Sequence, residues 1–190
     1  MVIPSYNVKI KFRIFLQETF VVEDCIDYQP LTSNIHQSRW TIPSHTNISY
    51  SDEGMRISAS AWADLYLNNQ INKPCSIEWK MGSYSSMLFN WYLWDTNKTT
   101  RYINPNEFDN GITANRFTLD VYPSNSNYIN YKPNVNDIIR LEVDNTECRL
   151  YVNDVLKITK SYTQSSPFIL GFGTSTNRYS TVKNLKIKAL

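Results

Sequence analysis

The chain has 190 residues, a net charge of +2 and 14% aromatic residues. So small a charge, without a basic cluster, argues against nucleic acid or an anionic membrane surface as the main partner. No apolar run approaches the roughly 20 residues that span a bilayer, so no membrane span is expected. The length suits one large domain with a two-layer core.

The N-terminal part of the chain contains one clearly alternating segment, Val8 to Leu16. It predicts a half-buried strand with a basic outer row, which either adds to an edge of its own sandwich or pairs with another chain. We treat residues 1–19 as an N-terminal strand or appendage and residues 20–190 as the main domain. The first residues lack the apolar region and cleavage site of a signal peptide. We therefore expect either a protein made in the cytoplasm, such as a virion component, or an excised domain.

Short strands separated by turn residues follow, and no segment has a helical period. The stretch from Phe20 to Tyr28 is a strand candidate, and Gln29 to Ser44 is expected to be a loop. Asp95 to Gly111 is also expected to be a loop. The other predicted strands before residue 137 are Ile48–Tyr50, Met55–Ser58, Ala61–Leu67, Cys75–Met81, Met87–Trp94, Phe117–Tyr122 and Tyr128–Tyr131.

The segment from Asp137 to Lys188 predicts one antiparallel meander, because apolar and polar residues alternate between turn signals. Asn153-Asp154 is a two-residue turn of the kind that a tight hairpin needs, since both residue types tolerate positive φ. The alternation breaks once at Lys183-Asn184, as a β-bulge would cause. The residues expected to point into the core are Ile139, Leu141, Leu150, Val152, Phe168, Leu170, Leu185 and Ile187.

The same segment carries a family resemblance. It contains Ile-Arg-Leu-Glu-Val, Arg-Leu-Tyr-Val-Asn-Asp-Val-Leu, Pro-Phe-Ile-Leu-Gly-Phe and Val-Lys-Asn-Leu-Lys-Ile. These stretches resemble the closing strands of concanavalin A-like (laminin G-like) jelly rolls, where the hairpin commonly reads Leu-Tyr-Val-Asn-Gly; here Asp154 stands in place of the glycine. The resemblance implies an all-β fold, a two-sheet antiparallel β-sandwich, and a superfamily that includes sugar-binding proteins. The fold by itself does not define the function.

Catalytic motifs of this fold are missing from the sequence. Retaining glycosidases of the superfamily place their acids in a Glu-x-Asp-x-x-Glu motif on one strand. Asp120 and Glu78 stand on predicted strands without a second carboxylate beside them. Asn34-Ile-His36 is similar to the Gln-Ile-His motif of polysaccharide lyases, but the Tyr- and Lys-rich last strand of those enzymes has no counterpart. We therefore expect that the protein is not an enzyme.

No cofactor is predicted. The two histidines, His36 and His45, have no metal-ligand spacing to Cys or carboxylate residues. Calcium ligands could come from Asp95 with Asn97 and from Asp109 with Asn110, since oxygen ligands in loops suit that ion. No fixed spacing supports a calcium site, and turn formation explains the same residues.

The three cysteines, Cys25, Cys75 and Cys148, are an odd number without metal spacing. Cys75 and Cys148 fall on the apolar faces of their predicted strands, which favours buried free thiols. The alternative is a disulfide, which would require two of the cysteines to meet across the sandwich.

Aromatic residues between positions 62 and 94 provide the positive indication of function. Sugar rings stack on Trp and Tyr because their C–H faces are apolar. Asn90, Tyr92 and Trp94 share one face of a predicted strand, and the polar Asn favours this row as an exposed platform. Tyr66 or Tyr102 would lie at its rim. The competing interpretation is that both rows of this strand are buried.

Three functions fit these observations. The leading hypothesis is a non-catalytic, lectin-like carbohydrate- or surface-recognition module of a viral, phage or cell-surface structural protein. Its partner would be a glycan or cell-surface polysaccharide, and it would act in adhesion on a virion or in an extracellular location. The alternative is a structural or assembly module that decorates a particle and binds itself or other structural proteins without a sugar. The third is a glycosidase or polysaccharide lyase of the same fold.

Overall fold

The structure is a computed structural model. It describes residues 25–28, 38–60, 63–85, 90–94, 96–97, 101–109, 115–121, 127–129, 134–161, 167–174 and 177–190. The predicted strand from Val8 to Leu16, and the whole of residues 1–19, lie outside these ranges. Within them the chain is built from β-strands, and no helix is long and apolar enough to cross a bilayer. The all-β prediction is therefore confirmed.

The described part of the chain contains fifteen strands. In order they are β1 (Cys25–Tyr28), β2 (Trp40–Thr41), β3 (Thr46–Ser51), β4 (Gly54–Ala59), β5 (Ala63–Ile71), β6 (Cys75–Tyr84), β7 (Asn90–Trp94), β8 (Arg101–Asp109), β9 (Asn115–Val121), β10 (Asn127–Ile129), β11 (Ile138–Val143), β12 (Glu147–Val152), β13 (Val155–Ser161), β14 (Phe168–Thr174) and β15 (Arg178–Ala189).

The strands pair into two antiparallel sheets. The first sheet has the order β13-β12-β11-β6-β15-β4-β3, and β1 pairs with the end of β15. The second sheet has the order β10-β9-β8-β7-β14-β5-β2. In the middle of the second sheet, β7 and β14 are neighbours and pair along five residues. The predicted two-sheet antiparallel sandwich is confirmed.

The core lies between the two sheets, where alternate residues of each strand are buried. The pattern is regular in β11 and β12, whose inward residues stack in register across the first sheet. Trp40 of the second sheet lies near Phe172, with ring centroids 4.9 Å apart. All eight residues predicted to point inward are buried: Ile139, Leu141, Leu150, Val152, Phe168, Leu170, Leu185 and Ile187.

The hairpin between β12 and β13 has the predicted two-residue turn. Asn153 and Asp154 both have positive φ, 49° and 61°, as a type I′ turn requires. The Asn153 side chain also links two segments: its Oδ1 accepts from Ile138 N at 2.9 Å, and its Nδ2 donates to Asp137 Oδ1 at 2.8 Å. The predicted bulge near Lys183 is present as a register shift between β15 and β6. Local turn chemistry therefore fixes this part of the fold.

Three sequence predictions were wrong. The expected loop from Gln29 to Ser44 contains β2, at Trp40 and Thr41, which pairs with β5. The last five strands are not one meander, because β14 lies in the second sheet and β15 lies between β6 and β4 of the first. The stretch from Asp95 to Gly111 is not all loop, since it contains β8. Pro105 and its Asn neighbours weaken the local strand signal. Pairing of β8 with β7 and β9 on both sides outweighs that local preference.

Cys75 and Cys148 are buried free thiols, as predicted. Both pair with Val143, from opposite sides, so two strand spacings separate them. That separation, roughly 10 Å, exceeds the limit of about 7 Å between the Cα atoms of a disulfide. Burial raises the pKa of each thiol to about 12. The side chain of Cys25 lies outside the described residues.

Candidate functional site

The outer face of the second sheet, turned away from the core, carries a small apolar cluster of its own. In β5 and β14 the residues Leu65, Leu67, Leu170 and Phe172 are buried in the main core. Ile169 is only 7% exposed, yet it belongs to a separate cluster, in which it packs against the half-buried Tyr66. The aromatic residue Tyr66 therefore contributes to a surface away from the core.

A glycine lies at the centre of this face. Gly171 of β14 pairs with Tyr66 of β5 on one side and with Tyr92 of β7 on the other. Because glycine has no side chain, we describe this level of β14 as a shallow trough between its two neighbours, and its floor, Gly171, is buried. With strands about 4.8 Å apart, the two tyrosine backbones are roughly 10 Å apart across the trough. The pairing thus places two aromatic residues on either side of a position that has no side chain of its own.

Polar groups surround Tyr66 on the side of the trough that leads to the sheet edge. Thr41 of β2 pairs with Tyr66, and its Oγ1 donates to Asn68 Oδ1 at 2.7 Å. Asn68 Nδ2 in turn donates to the carbonyl of Ser38 at 3.1 Å. The side chains of Thr41 and Asn68 are both exposed. An aromatic ring is therefore flanked by a hydroxyl and an amide that are already held in place by hydrogen bonds.

The predicted platform residues Asn90, Tyr92 and Trp94 lie on β7, the neighbour of β14. They alternate with Leu93, which is buried in the core, and Trp94 pairs with Ile169. Tyr102 lies on β8, where the register with β7 shifts. The side chains of these four predicted residues lie outside the described residues. The fifth, Tyr66, is described and stands at the trough.

Sequence reasoning missed the residues that give this face its shape. Gly171 and Ile169 come from the last third of the chain, which was interpreted only as core, and Thr41 was placed in a loop. One signal was present: Gly171-Phe172-Gly173 puts glycine at alternate positions of an otherwise apolar strand. Such a pattern indicates a strand row without side chains, where neighbouring groups approach the backbone closely.

Asp64 and Asp120, the carboxylates in the outer-face register of the second sheet's described strands, are far apart; Glu107 and Asp109 lie two residues apart on β8, in the opposite register. Asp64 precedes the buried Leu65 on β5, so Asp64 has the outer-face register. Val121 pairs with Ile103, and Ile103 pairs with the buried Leu93, so Val121 has the core-facing register. Asp120, which precedes Val121, therefore also has the outer-face register. Four strand spacings separate β5 from β9, which is roughly 19 Å. Glycosidases need two carboxyl groups about 5–9.5 Å apart. These two positions cannot form such a pair.

No group of three or more His, Cys, Asp or Glu side chains converges as a metal site within the part of the chain that the structure describes. Of the residues considered for calcium, Asp95 and Asn110 lie outside that part. Asn97 is exposed in a turn, and Asp109 ends β8.

The outer face of the first sheet carries a charged network on β11 and β12. Glu142 forms ion pairs with Arg140 and, at 3.4 Å, with Arg149, and it accepts a hydrogen bond from Tyr151 Oη at 3.1 Å. Arg149 also pairs with Asp144 at 3.1 Å. Backbone amides of Thr146 and Glu147 donate to Asp144 and lower the pKa of its carboxyl group. These mutual pairs indicate a structural network, since its acids and bases neutralise one another.

Comparison with known proteins gives structural matches only. No protein-family model and no curated protein matches the sequence. Among solved structures, a Crh5 transglycosylase in complex with NAG is similar with a TM-score of 0.70 and 8% identity, over 87% of this chain and 84% of that one. A Bacillus licheniformis β-glucanase has a TM-score of 0.65 and 11% identity, over 88% and 99%.

The carbohydrate-binding module CBM66 from Bacillus subtilis is also similar, with a TM-score of 0.56 and 12% identity, over 78% of this chain and 94% of that one. At sequence identities this low, structural similarity shows a shared fold and does not show a shared activity. The two sheets, their strand order and these structural matches agree: the chain has the concanavalin A-like jelly-roll fold.

Proposed function

We propose that this protein is a non-catalytic carbohydrate-recognition module that holds a sugar chain along the outer face of its second sheet. The observation that carries the proposal is the pairing of Gly171 with Tyr66 on one side and Tyr92 on the other. Proteins of similar fold include a carbohydrate-binding module as well as a glucanase and a transglycosylase. A carbohydrate ligand is the feature that these three share.

In this proposal the trough above Gly171 receives one sugar unit, and the ring of Tyr66 stacks on the apolar C–H face of that unit. A stacking contact of this kind stabilises binding by roughly 1 kcal/mol, by analogy with other aromatic-face contacts. Thr41 and Asn68 offer a hydroxyl and an amide to the sugar hydroxyls, and their mutual hydrogen bond pre-orients them. Asn90, Tyr92 and Trp94 complete the other side of the trough.

The absence of catalysis is part of the proposal. It is supported by the four strand spacings between Asp64 and Asp120, which leave these two carboxylates too far apart to share one glycosidic bond. Glu107 and Asp109 lie two residues apart on β8, but in the register of the core-facing row of that sheet. Within the described strands, the outer face then has no proton donor opposite a nucleophile or base, so we propose that it binds a sugar without cleaving it.

The test is a glycan array followed by calorimetry with the best ligand, using Tyr66→Ala and Tyr151→Ala proteins. Both residues are half-buried tyrosines on outer faces, but Tyr151 belongs to the first sheet. We expect Tyr66→Ala to weaken binding about fivefold or more, and Tyr151→Ala to leave it unchanged. Thermal unfolding of each variant checks that both remain folded.

Two results would overturn the proposal in favour of its rivals. An array without reproducible ligands, together with a stable oligomer in size measurements, would indicate an assembly module. Release of reducing ends from a polysaccharide panel would indicate a glycosidase, and release of unsaturated sugar products would indicate a lyase.

A further inference from the structure

The first sheet carries a depression on its outer face, on the opposite side of the sandwich from the trough. It has a volume of about 280 Å³ and lies across β3, β4 and β15. Asn47, Ser58 and Tyr179 pair in one row across these three strands and form its floor. The remaining lining residues are Arg56, Ala59, Ser60, Asn177 and Arg178. The proposed glycan face does not include any of these residues.

An arginine lies flat in this depression. The guanidinium carbon of Arg56 is 3.6 Å from the centroid of the Tyr179 ring. Stacking of this kind orients the planar guanidinium and leaves its N–H edge available to a planar, bidentate partner. Tyr179 is itself held in place, because its N–H donates to Ser85 Oγ at 2.9 Å and its carbonyl accepts from Ser85 N at 3.0 Å. The cation is thus preorganised.

The lining of the depression is positively charged. It includes two arginines and no carboxylate. Elsewhere on the same sheet the cations Arg140, Arg149 and Lys183 form ion pairs with Asp or Glu. Within the described residues, the contact of Arg56 is with an aromatic ring and its guanidinium forms no ion pair with a carboxylate. An arginine that is oriented and forms no ion pair with a carboxylate of the described residues suits an anionic ligand.

The neighbouring groups are amides and hydroxyls. Asn47, Ser58 and Asn177 line the depression, and the backbone N–H of Asn177 donates to Ala59 O at 2.9 Å, which fixes that rim. The volume of about 280 Å³ lies just below the range of about 300–1,000 Å³ for small-molecule sites, so a single ring is the expected size of ligand. A carboxylate next to several hydroxyls on one ring is the chemistry of a uronic acid.

We propose that this depression binds a carboxylate-bearing sugar unit, with the carboxylate on the guanidinium of Arg56 and the ring hydroxyls on Asn47, Ser58 and Asn177. The protein would then recognise an acidic saccharide through the first sheet. This inference does not rest on the function proposed for the second sheet, because the two sites share no residue and bind separately.

The test is a titration of ¹⁵N-labelled protein with methyl glucuronide. The chemical shifts of the Arg56 Nε–H and Tyr179 amide signals report binding. Methyl glucoside is the uncharged control ligand, and sodium acetate is the control for a simple carboxylate. The test variant is Arg56→Gln, which removes one positive charge from β4. The control variant is Lys157→Gln, which removes one positive charge from β13, the edge strand of the same sheet. Tyr66→Ala controls for the other site.

We expect saturable shifts with the glucuronide, and a loss of affinity of about tenfold or more in Arg56→Gln, as for a charge-assisted hydrogen bond. Lys157→Gln and Tyr66→Ala should bind like the unmodified protein. Equal affinity in Arg56→Gln, equal losses in both charge variants, or equal binding of acetate would overturn the proposal. If Tyr66→Ala alone lost binding of the glycan selected by the array, that result would concern only the site proposed on the second sheet. The two proposals can therefore fail separately.

Discussion

Tyr66 and Gly171 pair directly across β5 and β14, so an aromatic residue borders a position that has no side chain. The arrangement depends on residues more than 100 positions apart in the chain. Ile169, two residues before the glycine, packs against the same tyrosine and fixes that side of the trough. The shape of the face therefore depends on the glycine as much as on the ring.

Gly171→Val should abolish most glycan binding, by at least about tenfold, because the new side chain fills the trough beside Tyr66. The fold should survive, since Gly171 is not among the positive-φ residues and valine favours strands. Calorimetry gives the affinity, and the unfolding midpoint reports stability. Ser49→Val, at an exposed position of β3, controls for an added valine on the other sheet. Undiminished affinity in Gly171→Val would mean that the sugar binds elsewhere.

Leu141→Ala should lower the free energy of unfolding by about 2–5 kcal/mol, the range for truncation of a buried leucine. Leu141 is 2% exposed and pairs with Ile77 and Leu150, so its loss leaves a cavity between strands. Leu156→Ala is the control, because Leu156 is 49% exposed and surface substitutions change stability by about 0.5 kcal/mol or less. Urea unfolding measures both. Equal effects of the two substitutions would contradict the observed register.

Asn153→Ala should destabilise the protein by about 2 kcal/mol or more. Alanine is strained at positive φ, and the change also removes the acceptor of Ile138 N and the donor to the buried Asp137. Asp154→Gly, in the same turn, should change stability by only about 0.5 kcal/mol, since glycine suits this position and the exposed ion pair with Arg140 contributes little. Chemical denaturation compares them. A smaller loss in Asn153→Ala than in Asp154→Gly would disprove this role.

Cys75 and Cys148 should not react with a thiol reagent at pH 8 until the protein unfolds. With the pKa of each thiol raised to about 12, only about one molecule in 10⁴ carries the thiolate at that pH, and burial blocks access. The experiment uses Cys25→Ser protein, so that only these two thiols are observed. The reaction should begin at the denaturant concentration where the fold is lost. Rapid labelling in native buffer would show that a thiol is accessible.

Local sequence patterns predicted the strands and turns well, because alternation and turn chemistry are encoded by neighbouring residues. The Asn153-Asp154 turn, the bulge at Lys183 and the eight core positions follow from such patterns. The assignment of β14 to the second sheet could not be predicted, because alternation reveals which face of a strand is buried and not which sheet the strand joins. β8 was missed because partners on both sides stabilise a locally poor strand.

The candidate site was less predictable for a similar reason. Tyr66 was predicted, as an alternative to Tyr102, at the rim of the platform, but the role of Gly171 depends on which strand lies beside it. The depression around Arg56 combines β3, β4 and β15, which come from both ends of the described chain. No spacing in the sequence relates Arg56 to Tyr179, since the contact exists only once β15 is inserted next to β4.

The most direct test of the account is a ¹H–¹⁵N titration of the whole chain with the oligosaccharide selected by the array. We expect the backbone amide signals of Tyr66, Asn68 and Gly171 to shift in a saturable manner, while those of Arg149 and Tyr151 on the first sheet stay in place. Shifts that cluster on the charged network of β11 and β12, with Gly171 unchanged, would contradict the claim that the outer face of the second sheet binds this oligosaccharide.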